Sequence, residues 1–152
     1  MIKVAVTGAA GRMGSGIIRK ITEQEDMEVV AAIEIPNSPL AGKDAGLQAG
    51  TDELGVEIVG SEKLEETLKA SKPDVLVDFT IAPAAVETIK TATACGVNIV
   101  VGTTGFTEEQ QALITGLSRR VPVVFAANFS LGITVMKRVL AEIAPILEGS
   151  FD

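Results

Sequence analysis

The sequence predicts a doubly wound α/β domain, in which a parallel sheet of about six strands carries helices on both faces. Three observations predict it. Strand-like and helix-like segments alternate from one end of the chain to the other. The strand-like segments are continuous runs of Val, Ile and Ala, the pattern of strands buried on both sides. The first of these runs stops at a cluster of small residues in "IKVAVTGAAGRMG", with glycines at positions 8, 11 and 14. A turn of that kind joins a strand directly to a helix.

Each element has its own warrant. Residues 2–6 read as a short buried strand, and residues 12–24 as a helix with Met13, Ile17, Ile18 and Ile21 at helical spacing. Residues 28–34, "EVVAAIE", form a second strand. Residues 35–55 are rich in Pro, Gly, Asn and Asp and read as a loop with at most a short helical turn. "VEIV" at 56–59 is a short strand, and Ser61 is placed to cap a helix over 62–70. "DVLVDFT" at 74–80 is the fourth strand. Pro83 begins and Gly96 ends the next helix, the usual asymmetry of these two residues. "VNIVVG" at 97–102 is the fifth strand, and Thr107 with Gln110 makes a capping box for a helix over 108–119. "PVVFA" at 122–126 is the sixth strand. A long apolar-periodic helix follows over about 130–147, with Pro145 marking or kinking its end.

Composition bounds the function. A chain of 152 residues, 47% hydrophobic and 22% charged, suits one domain with a real core, here residues 1–152. No apolar run reaches the roughly 18–20 residues of a membrane span, and the N-terminus has no signal-peptide pattern. The single cysteine, Cys95, fits a reduced, cytoplasmic setting and reads as a packed, inert thiol. A net charge of −7 argues against nucleic-acid partners. The absence of histidine, with one cysteine, argues against a metal site and removes the usual neutral-pH acid or base. Glu65, Glu66, Glu108 and Glu109 read as helix-surface charges, and Lys137 and Arg138 as solvated.

In a doubly wound sheet a ligand lies across the carboxyl ends of the strands, where the strand order reverses. The turn Gly8–Gly14 falls there. Its glycines let the backbone approach a pyrophosphate, and the following helix offers free N–H groups and the positive end of its dipole. Glu34 ends the second strand 20 residues after Gly14, placed to accept from the ribose hydroxyls of an adenine nucleotide. Together these make a Rossmann-like fingerprint. Three roles are open to Arg12: pairing with a 2′-phosphate, stacking on adenine, or solvation at a helix start. Ile35 cannot pair with a phosphate and Glu34 would repel one, so the residues favour NADH over NADPH. The segments Asp78-Phe79-Thr80, Gly102-Thr103-Thr104-Gly105 and Ala127-Asn128-Phe129-Ser130 end later strands at the same edge and offer hydroxyls, amides and small residues to the same ligand.

Taken in order, "VAVTGAAGRMG", "VDFT", "VVGTTGF" and "FAANFSLGITVM" resemble the nucleotide-binding domain of bacterial and archaeal dihydrodipicolinate reductases, over essentially the whole chain. The resemblance implies that the chain belongs to an NADH- or NADPH-dependent oxidoreductase of the lysine and diaminopimelate route, which reduces a cyclic dicarboxylate. It implies that Gly8, Ala9, Ala10, Gly11, Arg12 and Met13 line the pyrophosphate and adenosine end, and that Glu34 holds the ribose. It places Gly102, Thr103 and Thr104 along the nicotinamide side and Ala126, Ala127, Asn128 and Phe129 at the nicotinamide; Phe79 and Thr80, from the strand-end segment, are counted with the cofactor-binding residues. Some family members carry an Arg directly after the acidic residue, where this chain has Ile35.

In the family a second domain follows the equivalent of residue 152. It carries a histidine-rich motif and a lysine, binds the dicarboxylate, supplies the proton and builds a homo-tetramer. The expectation is therefore that this chain alone binds cofactor, carries no catalytic residue and turns over slowly or not at all. It is also expected to expose apolar surface, foremost on the last helix. Two other readings stand beside it. "TGAAGRMG" also resembles short-chain dehydrogenases, but those need a tyrosine and this chain has none. A CoA- or nucleotide-binding regulatory module would share the phosphate turn, without a reason to keep the Gly-Thr-Thr-Gly and Ala-Asn-Phe-Ser segments.

Overall fold

The computed structural model describes residues 1–148; of the expected domain, residues 149–152 lie outside the described residues. Six strands form one sheet: β1 (Ile2–Thr7), β2 (Met27–Glu34), β3 (Ile58–Gly60), β4 (Val75–Asp78), β5 (Asn98–Val101) and β6 (Val123–Phe125). Their order is β3-β2-β1-β4-β5-β6, and every neighbouring pair is parallel. The order reverses between β1 and β4, which fixes the ligand edge of the fold.

Helices α1 (Arg12–Thr22), α2 (Ala45–Ala49), α3 (Leu64–Ser71), α4 (Ala82–Ala94) and α5 (Glu108–Leu117) cover both faces. Side chains alternate along the strands, so β1 to β4 each feed two cores, whereas β5 and β6 feed one. Val4 and Val6 of β1 pack with Ile18 and Ile21 of α1 and with Ala45 and Ala49 of α2. Ala5, between them, packs on the other side with Leu68 of α3, Ile89 of α4 and Ile114 of α5.

The sixth helix, α6 (Leu131–Leu147), differs from the other five: none of its residues is buried. Met136, Val139, Leu140, Ile143, Ile146 and Leu147 recur at spacings of three and four along it, and all are exposed. Pro145 lies inside the helix and lacks the N–H that would bond to the Ala141 carbonyl; the helix ends two residues later.

Local chemistry explains the element boundaries. The capping box forms as expected: Gln110 N–H donates to Thr107 Oγ1 (3.2 Å) and Thr107 N–H donates to Gln110 Oε1 (2.9 Å). Ser61 does not cap a helix. The extended residue is Gly60, one position earlier, so Ser61 already lies inside a 3₁₀ turn, Ser61–Lys63, and α3 starts at Leu64 without a side-chain cap. The third strand runs over 58–60 where 56–59 is expected. Val56 is diverted: its N–H donates to the Asp44 carboxylate and its carbonyl accepts from Ala45 N–H. Asp44 caps α2 and also accepts from the N–H groups of Gly46, Leu47 and Leu54, so one carboxylate organises the glycine-rich stretch after β2. These backbone bonds, with that of Leu47 foremost, hold its pKa below the ordinary 3.8.

Candidate dinucleotide site

The turn between β1 and α1 is a closed unit. Ala9 N–H donates to the Ile33 carbonyl (3.1 Å) and Gly11 N–H donates to the Gly8 carbonyl (2.9 Å). Gly14 is buried in the first turn of α1, where a Cβ would overlap the backbone of Gly8 and Ala9. Only glycine permits that approach, and it brings the helix N-terminus up to the turn. The first N–H groups of α1 have no partner within the helix, so they and the dipole suit a bridging phosphate.

A cleft of about 440 Å³ opens in front of this turn. Gly8, Gly11, Arg12, Met13 and Gly14 form one side, Glu34, Ile35 and Pro36 after β2 a second, and Phe79, Thr80 and Ile81 after β4 a third. The cradle fits the adenosine diphosphate part of a dinucleotide: a small-residue turn under the helix dipole, a carboxylate at the rim and apolar walls for a flat base.

The structure adds a bond that spacing alone does not reveal. Glu34 Oε1 accepts from Ala10 N–H at 2.8 Å, and its second oxygen accepts from Ile35 N–H at 3.2 Å. The acidic residue that closes β2 therefore also holds the glycine turn in place. Arg12 is exposed at the rim and shares a second groove, of about 460 Å³, with Met13, Ile17, Lys20 and Met27 along α1.

The remaining candidates divide. Ala9 is buried in the core and does not line the cleft, while Ala10 meets it through its backbone bond to Glu34. Gly102 lies against Phe79, whose ring occupies the space that a Cβ at residue 102 would need. Phe79 in turn packs against Phe129, with ring centroids 5.5 Å apart. Thr103 is buried, and its hydroxyl donates inward to Asp78 Oδ1 at 2.7 Å, so that hydroxyl is not free for a ligand. Thr104, Ala127 and Asn128 are exposed and Ala126 is half-buried. Asn128 Oδ1 accepts from Ser130 N–H at 2.8 Å, bending the chain into α6. These later segments follow β5 and β6 along the same edge but do not line the cleft, being linked to it through Phe79.

Several lining residues escape the sequence reading: Ile33, Ser61, Ile81, Ala84 and Thr88. The last three had a signal in their spacing of three and four, which puts them on one face at the start of α4. Asp78, named with Phe79 and Thr80 at the end of the fourth strand but given no role of its own, does not line the cleft; a carboxylate closing the otherwise apolar "VLVD" strand is the anomaly that marks it. Cys95 closes α4 and is half-buried against the core, a little more open than the packed thiol expected. Among the described residues no cluster of His, Cys, Asp or Glu could hold a metal ion, and no helix is long and apolar enough to cross a membrane.

Residues 2–129 match the family described as dihydrodipicolinate reductase, N-terminus. The 4-hydroxy-tetrahydrodipicolinate reductase of Methanobrevibacter smithii is 71% identical over 100% of this chain and 56% of its own length. That of Methanothermobacter thermautotrophicus is 56% identical over 97% of this chain and 55% of its own. The chain thus spans about half the length of these relatives. Among solved structures, dipicolinate-bound dihydrodipicolinate reductase from Paenisporosarcina superposes with a TM-score of 0.73 at 29% identity, over 95% of this chain and 54% of the other. RSP in complex with β-NADH superposes with a TM-score of 0.62 at 15% identity, over 100% of this chain and 64% of that one, a likeness of fold alone. The chain belongs to the dihydrodipicolinate reductase N-terminal family, and its sheet is the Rossmann-like one expected of it.

Proposed function

We propose that this chain is the nicotinamide-dinucleotide-binding domain of a reductase of the lysine and diaminopimelate route, and that it favours NADH. One observation carries the reading: the glycine turn at the start of α1 and the Glu34 carboxylate are hydrogen-bonded to each other at the mouth of one apolar cleft. When bound, a reduced nicotinamide supplies the hydride; the chain's own residues bind and orient its carrier. Gly8, Gly11 and the N-terminus of α1 receive the pyrophosphate. Glu34 accepts from the ribose, and Ile35 and Ile81 flank the adenine. The segments Gly102–Thr104 and Ala126–Phe129 receive the nicotinamide end. Exposed Ile35 beside Glu34 supports the preference for NADH, because a 2′-phosphate there would meet a carboxylate and an alkyl group in place of a cation.

The acceptor follows from the relatives' names and the dipicolinate bound to one of them: a cyclic dicarboxylate. Its binding, its protonation and assembly into a tetramer belong, in this reading, to the further length those relatives have, which would also cover the apolar face of α6. The chain of 152 residues would then bind cofactor with little or no turnover, since substrate positioning and proton transfer are supplied elsewhere. A cytoplasmic setting accords with the single half-buried cysteine.

The test is calorimetric titration of the chain with NADH, NADPH and CoA at fixed salt. NADH binding at least as tightly as NADPH, with CoA inert, supports the reading. A large NADPH preference would assign the 2′-phosphate to Arg12 or to Lys43 of the loop after β2 and overturn the role given to Ile35. CoA binding without dinucleotide binding would overturn the reading itself, and so would turnover by the chain alone for its inactive part.

A further inference from the structure

Asp78 closes β4 in the middle of the sheet, in register with Thr7 of β1 on one side and Val101 of β5 on the other. It is wholly buried, and it takes part in none of the ion pairs among the described residues. Burying a carboxylate without a cation is costly unless hydrogen bonds satisfy it. Four do so here. Thr7 Oγ1 donates to Oδ2 at 2.7 Å, and Oδ1 accepts from Thr103 Oγ1 (2.7 Å), Thr80 Oγ1 (2.8 Å) and Thr80 N–H (3.0 Å).

The pairing of β4 with β1 and β5 does not run through these bonds. The strands pair through their backbones, and an apolar side chain would fill a core position at less cost. What the four bonds share is place. Thr7 immediately precedes Gly8 of the phosphate turn. Thr80 forms part of the cleft wall, its methyl 3.1 Å from where a Cβ on Gly8 would lie. Thr103 follows Gly102, on which the Phe79 ring rests. One side chain therefore ties together three stretches of the ligand edge, from β1, β4 and β5.

We propose that Asp78 is a positioning residue for ligands that span the edge: it fixes the distance between the phosphate turn after β1 and the Gly102–Thr104 segment after β5. It acts through Thr7, Thr80 and Thr103 and, being buried behind them, touches no ligand. The ligand class it serves is a diphosphate carrying a group at each end, because a ligand confined to the turn would gain nothing from the fixed separation. The inference rests on the dinucleotide reading above.

The test compares NADH, which spans both segments, with ADP, which reaches only the turn, in calorimetric titrations of the chain and its Asp78→Asn variant. Asn keeps the shape and one acceptor oxygen but loses the charge and one acceptor site. NADH affinity is expected to fall about tenfold, the weight of a hydrogen bond to a charged group, with ADP affinity changed less than about twofold. Equal losses for both ligands, in step with a lowered melting temperature, would overturn the proposal and leave Asp78 a structural residue. Unchanged NADH affinity would overturn it too. If the Asn variant does not fold, Thr103→Val cuts one of the four bonds and is judged by the same split. A wild-type chain that binds neither probe would overturn the dinucleotide reading and this inference with it; a wild-type chain that binds both, without the split in the variants, overturns this inference alone.

Discussion

Along the carboxyl edge of the sheet, the half built on β1, β2 and β4 is tied together by its own side chains, whereas the half built on β5 and β6 opens into a helix that buries nothing. In the first half Glu34 holds the glycine turn and Asp78 links three strands through buried or half-buried bonds. In the second half Phe125, Phe129 and the apolar face of α6 are exposed. The difference separates two tasks. In the proposed reading the adenosine end is held by bonds between residues far apart in the sequence. The proposed nicotinamide end is joined to it by the Thr103–Asp78 bond and by Phe79, which packs on Gly102 and Phe129, and has apolar surface to spare.

Paired truncations test the contrast most strongly. Ile18→Ala, in the α1 core, is expected to cost about 2–5 kcal/mol in a urea titration, whereas Leu140→Ala on α6 should stay within about 0.5 kcal/mol. A large cost at Leu140 would mean that α6 is covered in solution. Next, Gly14→Ala forces a Cβ into the backbone of Gly8. It should destabilise the domain by about 1–3 kcal/mol and abolish NADH binding in the same preparation. Ile35→Arg would sharpen the account of the adenosine half. It supplies the missing cation, and the NADPH-to-NADH affinity ratio should rise about tenfold, read by calorimetry. Thr107→Ala removes one partner of the capping box and should cost about 1 kcal/mol by thermal denaturation without touching cofactor affinity.

The smallest effect is a slope with pH. The Asp44 pKa is held below 3.8 in the folded chain, so this carboxylate stabilises the fold above that value and the contribution fades as pH falls through the folded pKa. Stability measured from pH 5 to pH 2 should fall less steeply in Asp44→Asn than in the wild type. Equal slopes would show that Asp44 does not drive the loss.

Most of this architecture was legible because strand burial and turn chemistry are local. Continuous Val and Ile runs gave the six strands, and the Thr107–Gln110 and Pro83–Gly96 pairs marked the ends of two helices. The misreadings arose where a distant partner decided the outcome. Val56 left the third strand because Asp44, 12 positions earlier, takes its N–H. Ser61 lost its capping role to the extended backbone of Gly60. At the site, the glycine turn and Glu34 could be found by spacing, but their mutual bond spans 24 residues. The Asp78 hub joins residues 71 apart and 25 apart, and no window along the chain contains its partners together.

The exposed stripe on α6 also has a colloidal consequence. At neutral pH the net charge of −7 opposes association of copies through that stripe. Toward the isoelectric point near 4.7 the repulsion vanishes while the apolar face persists. Concentrated solutions should then turn turbid in mild acid, and a charged substitution at an exposed position of the stripe, such as Leu140→Lys, should clear them.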